Sequence, residues 1–219
     1  MIYKLLLSKS FTKCHLNYID KYFTGAIITG NVQLMPNEIL HVAVGQKGKD
    51  NSSGSGGTFV VKEDMKGSFK PLVIAGGAGG DYLSRRNAWC NAQLEGYGNG
   101  VRAGEKNNDI GKDGKSGWNG YFTGGSGYNE NRSNVTELDP KCFTGGLHGG
   151  RYKDSRDYDG GFGGGGPAAY NAGGGGYTGG NGASQGRPAG GGGSYNVDPN
   201  GTAKLGWYNS GQCKIKFIQ

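Results

Sequence analysis

The sequence predicts a mainly β protein with much irregular structure, in which a β-sandwich carries an inserted bundle of polyglycine helices. Three observations indicate this fold. Apolar residues recur at strand spacing between residues 25 and 75, they do so again near the C-terminus, and glycine supplies 18 of the 34 residues from 160 to 193. Alternation at period two is typical of half-buried strands, whereas a glycine-rich stretch has no side chains with which to form a strand face.

The predicted sandwich strands begin in residues 25–80. Apolar side chains alternate from Leu40 to Val44, which predicts a strand with one buried face. The apolar runs 58–61 and 71–75 follow. A turn-forming Lys-Gly-Ser segment separates these two runs, so the pattern predicts a β meander.

The C-terminal residues 200–219 return to strand chemistry. Cys213, Ile215 and Phe217 alternate with lysines, which predicts a strand with one apolar and one charged face. Apolar strands therefore lie at both ends of the chain, and pairing of the first with the last would form one β-sandwich around an insertion. Residues 1–24 carry no pattern that assigns them to an element.

Residues 81–159 form the polar part of the insertion. They carry 11 basic and 11 acidic side chains, a balance that is typical of solvated loops. A short helix at Ser84–Leu94 is the one helical element that we expect here. The net charge of +7 is thus not gathered into one face, and no arginine is followed by two glycines as in RNA-binding tails. We therefore expect no nucleic-acid partner.

The glycine-rich residues 160–193 have two interpretations. A flexible linker is one, because ordering a residue costs about 1–2 kcal/mol and glycine buries no side chain in return. The other is a bundle of polyproline-II-like helices with three residues per turn, whose backbones approach closely enough to hydrogen-bond. The flanking strands would then hold the bundle closed.

The bundle interpretation assigns its core to three uninterrupted glycine runs. Any side chain at an interior position would force neighbouring backbones apart. The predicted core positions are Gly163, Gly164, Gly165, Gly166, Gly173, Gly174, Gly175, Gly176, Gly190, Gly191, Gly192 and Gly193.

The four cysteines are widely separated and contain no Cys-x-x-Cys pair, which disfavours a zinc or thioredoxin-type site. Two disulfides of undetermined pairing are the expectation, and four buried thiols are the alternative. Disulfides indicate an oxidising compartment. The candidates are Cys14, Cys90, Cys142 and Cys213.

Three glycosylation sequons agree with an extracellular or cell-surface location. Their acceptors are Asn51, Asn131 and Asn134. No secretory signal is visible, since Ser8 and Lys9 interrupt the only N-terminal apolar run, and the aliphatic runs are too short to span a membrane. We therefore expect the chain to be part of a longer protein, anchored through a downstream span.

Catalytic and cofactor signatures are weak. A Gly-x-Gly-x-x-Gly match at 174–179 is expected by chance in so glycine-rich a segment, and no strand precedes it. The three histidines are scattered, and only His148 has a second candidate ligand nearby in sequence, Cys142. We predict no enzymatic activity, no metal and no cofactor.

The order of the glycine-containing motifs resembles the glycine-rich extracellular region of the anaplastic lymphoma kinase and leukocyte tyrosine kinase receptors. The motif PLVIAGGAGG at 71–80 resembles the opening of that region, and GGGGYTGGNGAS at 173–184 is the most similar segment. The collinear matches extend over roughly residues 40–195, and a final strand reaches about 218. The order of the set makes the resemblance more specific than any single motif.

The resemblance implies a tumour-necrosis-factor-like β-sandwich with inserted polyglycine helices. In that family the region binds small helical cytokines and the receptors dimerise. The chain would thus be a ligand-binding unit without the kinase. Tyr177 matches an aromatic residue at the family's ligand face, and a spacer packed against the side of the bundle is the alternative interpretation of this residue. Arg187 lies in a segment, 185–189, that carries no acid where the family has carboxylates, so the resemblance implies altered electrostatic complementarity at that place.

A structural or adhesive extracellular protein is the alternative function. The same glycine array would then be a stiff spacer that binds a host surface or a glycan without signalling. Loop aromatics such as Tyr121, Phe122 and Tyr128 would provide the contacts, and burial beneath the loops is the simpler interpretation of all three.

Overall fold

The regular structure consists of two four-stranded antiparallel sheets. The computed structural model describes residues 2–8, 24–81, 88–98, 114–117, 124–129, 138–168, 170–184, 187–207 and 211–218, with backbone alone at 2–8, 207, 217 and 218. The strands are β1 (Ile2–Ser8), β2 (Gly25–Gln33), β3 (Ile39–Ala43), β4 (Thr58–Glu63), β5 (Phe69–Ala75), β6 (Tyr195–Asn196), β7 (Thr202–Trp207) and β8 (Gln212–Ile218).

The first sheet has the strand order β7-β2-β1-β8 and the second has the order β3-β4-β5-β6. All pairings are antiparallel, so the prediction of a mainly β protein is confirmed. The predicted meander is β3-β4-β5. The first and last strands, β1 and β8, pair directly with Leu5 opposite Ile215. The first strand of that pair lies in residues 1–24, to which the sequence assigned no element.

The second sheet is covered on both faces. Val60 and Val73 belong to a cluster that also contains Ala26 and Ile28 of the first sheet. Their chain neighbours Val61 and Ile74 belong to a second cluster, on the opposite face, with residues from the inserted part of the chain. Because successive strand residues face opposite ways, burial on both faces explains why β4 and β5 are continuous apolar runs.

Helix is nearly absent from the described residues, in which the helical segments are two 3-10 turns, Ala88–Cys90 and Arg156–Tyr158. The helix predicted at Ser84–Leu94 corresponds to a helical segment only at the 3-10 turn Ala88–Cys90, since residues 91–94 are not helical and residues 84–87 lie outside the described residues. The amide of Ala92 donates to Thr24 and that of Gln93 donates to Gly192, so these amides bond distant segments instead of a helix turn. Within the described chain, no helix is long and apolar enough to cross a bilayer.

Candidate functional site

Five segments of the chain pack backbone against backbone and form what we call the glycine array. They are residues 52–57, 76–80, 160–166, 172–180 and 189–194. All twelve glycines of the three predicted runs are buried. A Cβ on Gly173 would meet the carbonyl oxygen of Gly180, and one on Gly192 would meet that of Gly175. The absence of side chains therefore permits this packing.

Hydrogen bonds between array segments recur at intervals of three residues. The amide of Gly174 donates to Gly190 O at 3.0 Å, and three residues later the amide of Tyr177 donates to Gly193 O at 2.8 Å. The same interval joins another pair of segments. Gly77 N donates to Gly175 O, and three residues later in its own segment Gly80 N donates to Ala172 O.

The amides between Gly174 and Tyr177 point to other neighbours. Gly175 N donates to Ser55 O at 2.9 Å, and Gly176 N donates to Ser126 O at 3.3 Å. Three successive amides thus reach three different segments, and the fourth returns to the first. The direction of the amide hydrogen bonds therefore repeats after three residues in this segment.

The first glycine run differs from the other two. Gly163 and Gly164 have φ angles of +101° and +81°, and both residues belong to a turn. A left-handed backbone here favours glycine for its conformation as well as its size. The chain therefore turns within the first half of the run 163–166, which the sequence analysis assigned to the helix core.

Tyr177, one of the two predicted ligand-binding residues, packs within an aromatic stack. Its ring lies 4.7 Å from that of Tyr195 and 6.2 Å from that of Tyr128, centroid to centroid, in near-parallel orientations. The stack joins Phe59 and Ile74 on the outer face of the second sheet. Burial raises the pKa of Tyr128 to about 12, and the nearby Tyr177 and Tyr195 add to this shift. Tyr177 therefore has a packing role.

Arg187, the other predicted residue, is exposed at the end of the array. Its carbonyl oxygen accepts a hydrogen bond from the side chain of Asn171 at 2.6 Å. Tyr170, which precedes Asn171 in the sequence, is 46% exposed. Tyr158, whose carbonyl oxygen accepts a hydrogen bond from the amide of Ala168, is 41% exposed. These hydrogen bonds connect the backbone segments that carry three exposed side chains, those of Tyr158, Tyr170 and Arg187, which we call the tyrosine-arginine patch. The two predicted ligand-binding residues thus lie in different surroundings.

The loop aromatics have separate outcomes. Tyr128 is buried, as the simpler interpretation predicted. Tyr121 and Phe122 lie outside the described residues.

The cysteines are thiols wherever they are described. Cys90 donates to Gly80 O, Cys142 lies beside the Thr144 hydroxyl, and Cys213 packs against the core of the two sheets. Burial raises the pKa of Cys213 to about 11. Two disulfides would need one pair among these three, because Cys14, outside the described residues, can bond only one of them. The structure thus corrects the two-disulfide prediction in favour of the thiol alternative at these positions.

The predicted glycosylation acceptors are only partly described. Asn51 is half-buried in a turn, and its carbonyl oxygen accepts a hydrogen bond from the amide of Asp81. Asn131 and Asn134 lie outside the described residues. Glycosylation therefore stays a prediction at all three positions.

A pocket of about 390 Å³ lies beside the edge strand β7. Its walls include four large apolar side chains that are each between 37% and 48% exposed, namely Trp89, Leu94, Tyr97 and Leu205. Sequence reasoning missed this site because Leu205 is remote in sequence from the other three. A signal was available in the sequence. The nine residues 89–97, which lie in the polar segment 81–159, contain two aromatic residues and a leucine.

The polar groups of the pocket are few. Asn91 Oδ1 accepts from Thr24 N at 3.0 Å, and Gln93 Nε2 donates to Asn91 O at 2.9 Å. Glu95 is the only charged side chain among the lining residues. Its carboxylate accepts a hydrogen bond from Tyr97, which raises the pKa of that phenol.

No protein-family model matches the sequence, and no curated protein matches it. The functional argument therefore depends on the residues of this chain and on the arrangement described above.

Proposed function

We propose that this chain is a non-enzymatic, extracellular protein-binding module in which a β-sandwich clamps a bundle of polyglycine helices. The observation that carries the proposal is the three-residue interval of hydrogen bonds within the buried glycine array. A flexible linker has no such repeat, whereas polyproline-II-like helices have three residues per turn. An array fixed in this way offers a ligand a surface of constant shape.

The shared core supports the sandwich part of the proposal. Ala26 and Ile28 of the first sheet are fully buried together with Val60 and Val73 of the second. Burial of one face of each sheet against the other is what defines a sandwich.

Bonds between the strands and the glycine segments support the clamp. Gly76, the residue after β5, donates to the hydroxyl of Ser194 at 3.0 Å and accepts from the amide of Ala26. Gln46 N, just beyond β3, donates to Phe162 O at 2.8 Å. The strands thus hold the array at several places, and less conformational entropy remains to be lost when a ligand binds.

The tyrosine-arginine patch supports a protein as the ligand. Tyrosine and arginine are enriched at the energetic centres of protein interfaces because they combine large contact area with hydrogen-bonding ends. Arg187 also gives the patch a positive charge. We propose a ligand of the small cytokine type, whose contact surface is neutral or acidic, with dimerisation on binding and anchorage through a span downstream.

A cell-binding experiment tests this function. We expect the labelled chain to bind intact cells, and proteinase treatment of the cells to abolish the binding. Tyr170→Ala together with Arg187→Ala is expected to weaken binding at least tenfold, because hot-spot residues contribute about 2 kcal/mol or more each. Arg151→Ala, which removes another exposed arginine, is the matched control and is expected to bind normally.

The adhesive alternative gives a different result in the same assay. Binding that survives proteinase, together with a clear signal on a glycan array, would reject a protein ligand. A patch variant that binds as well as the unmodified chain would reject the patch as the contact surface.

A further inference from the structure

The pocket beside β7 has the volume of a small-molecule site. Its volume of about 390 Å³ lies within the range of small-molecule pockets, roughly 300–1,000 Å³. Trp89 and Tyr97 are 45% and 48% exposed there. Exposed apolar area is unfavourable at about 25 cal/mol per Å², so a ligand that covers both rings would gain affinity from the contact.

The wall of the pocket is fixed before any ligand arrives. The carbonyl oxygen of Trp89 accepts from Gly191 N, and that of Glu95 accepts from Ser194 N at 2.8 Å. Between them, Gln93 N donates to Gly192 O at 2.8 Å. The segment that carries both aromatic residues is therefore bonded along its length to the glycine array. A preorganised wall reduces the entropy that binding would cost.

The charges of the pocket select the ligand class. No lysine, arginine or histidine is among the described residues that line it. Glu95 supplies a carboxylate, and the ion pairs of the described residues do not include it. The hydrogen bond from Tyr97 holds that carboxylate beside an aromatic ring. A site with one negative charge and two aromatic rings attracts cations.

We propose that this pocket binds an organic ammonium cation, with its positive charge against Trp89, Tyr97 and Glu95 and its alkyl groups against Leu94 and Leu205. Tryptophan and tyrosine rings attract such cations through their electron-rich faces, and recognition of quaternary ammonium groups is a common use of aromatic cages. The proposal does not depend on the protein-binding function, since a small cation is a sufficient ligand. The cation has two sources, a free choline-type molecule or the trimethylated lysine of a protein.

Calorimetric titration of the full chain tests the proposal. The probes are tetramethylammonium, choline, a short peptide with one trimethyl-lysine, and 3,3-dimethylbutanol, which has the shape of choline without its charge. We expect choline to bind at least tenfold more tightly than the neutral alcohol. A preference between choline and the peptide identifies the source, and either preference supports the site.

Two substitutions separate the roles of charge and ring. Glu95→Gln is expected to weaken the binding of choline about tenfold and to leave the affinity for the neutral alcohol unchanged. Trp89→Ala is expected to remove most of the binding of both compounds. Trp89→Phe retains an aromatic ring and is expected to bind choline with intermediate affinity. That result would exclude loss of folding as the cause of the weak binding by Trp89→Ala. Equal affinity for choline and the alcohol, or no binding of any cation at millimolar concentration, would overturn the proposal.

Discussion

The amide of Gly77 donates a hydrogen bond of 2.7 Å to the carbonyl oxygen of Gly175. Gly77 follows β5 by two residues, and Gly175 lies within the second four-glycine run, so the bond joins a strand end to the middle of the array. Neither residue has room for a side chain. A Cβ on Gly77 would meet Ser55 O, and one on Gly175 would meet Gly163 O. Stability here depends on peptide groups that approach each other directly.

Substitution of Gly175 by alanine is expected to destabilise the protein by about 3 kcal/mol or more. The added methyl group contacts backbone atoms of the 160–166 segment, which are themselves fixed and cannot turn aside as a side chain would. Urea denaturation followed by circular dichroism measures the change.

Gly96→Ala is the matched control for that substitution. Its Cβ would lie 3.5 Å from the ring of Tyr177, an ordinary contact distance, and we expect a change in the free energy of unfolding within about 1 kcal/mol. If the two variants are equally stable, close packing of the array is not what holds it together.

Hydrogen exchange is expected to be slow across residues 172–180. Gly174 and Gly175 are buried, and their amides and that of Tyr177 are hydrogen-bonded to two other segments, so each opens only when several bonds break together. Exchange followed by mass spectrometry checks this, with the exposed turn at 65–68 as the internal reference. Exchange at the rate of an unstructured peptide would contradict both the array and the function built on it.

Stability is expected to fall as the pH rises from about 10 to about 12. The pKa of Tyr128 is raised from 10.0 to about 12 in the folded protein. Above pH 10 the unfolded chain releases this proton while the folded chain retains it, so deprotonation favours unfolding. Urea midpoints measured across this range provide the test.

Tyr128→Phe isolates that residue from other groups that titrate at high pH, such as Cys213. The variant is expected to show a smaller decline over the same range, because it has no phenolic proton to lose. An identical decline in the two proteins would show that Tyr128 does not titrate as its burial indicates.

Cys90, Cys142 and Cys213 are expected to react with iodoacetamide once the protein is unfolded, without prior reduction. In the folded protein Cys213 should react slowly, since its raised pKa of about 11 leaves little thiolate at neutral pH. Peptide mass spectrometry measures both results. A disulfide-linked peptide that joins any two of the three would contradict the thiol assignment.

The sequence predicted those strands in which alternation or a bounded apolar run was visible, and it missed the others for physical reasons. β8 alternates in sequence, with Cys213 packed against the core and Lys214 and Lys216 on the other face. β1 contains three consecutive leucines, and such a run does not distinguish a strand from a helix. β6 is only two residues long, too short for any period to appear.

Composition predicted that glycine would matter in 160–193, but it did not predict all of the partners. Residues 52–57 and 76–80 belong to the same array, although by sequence they are a turn-rich stretch and the end of a strand. The hydrogen-bond partner of each segment depends on proximity in the folded chain. Glycine has no side chain, so the sequence carries no pattern that indicates this partner. The pocket was missed because Leu205 and Trp89, remote in sequence, come to line one pocket only in the folded chain.

An interior built from peptide groups has unusual genetic consequences. In a conventional core, one aliphatic side chain can be replaced by another that is smaller by a single methylene, and the neighbouring side chains repack around it. At the closely packed positions of the array, even replacement of glycine by alanine adds a Cβ atom for which there is no space. Every base change that replaces one of those glycines with another residue introduces that carbon, so this part of the gene is expected to accept synonymous substitutions almost exclusively, while the codons of the polar loops diverge.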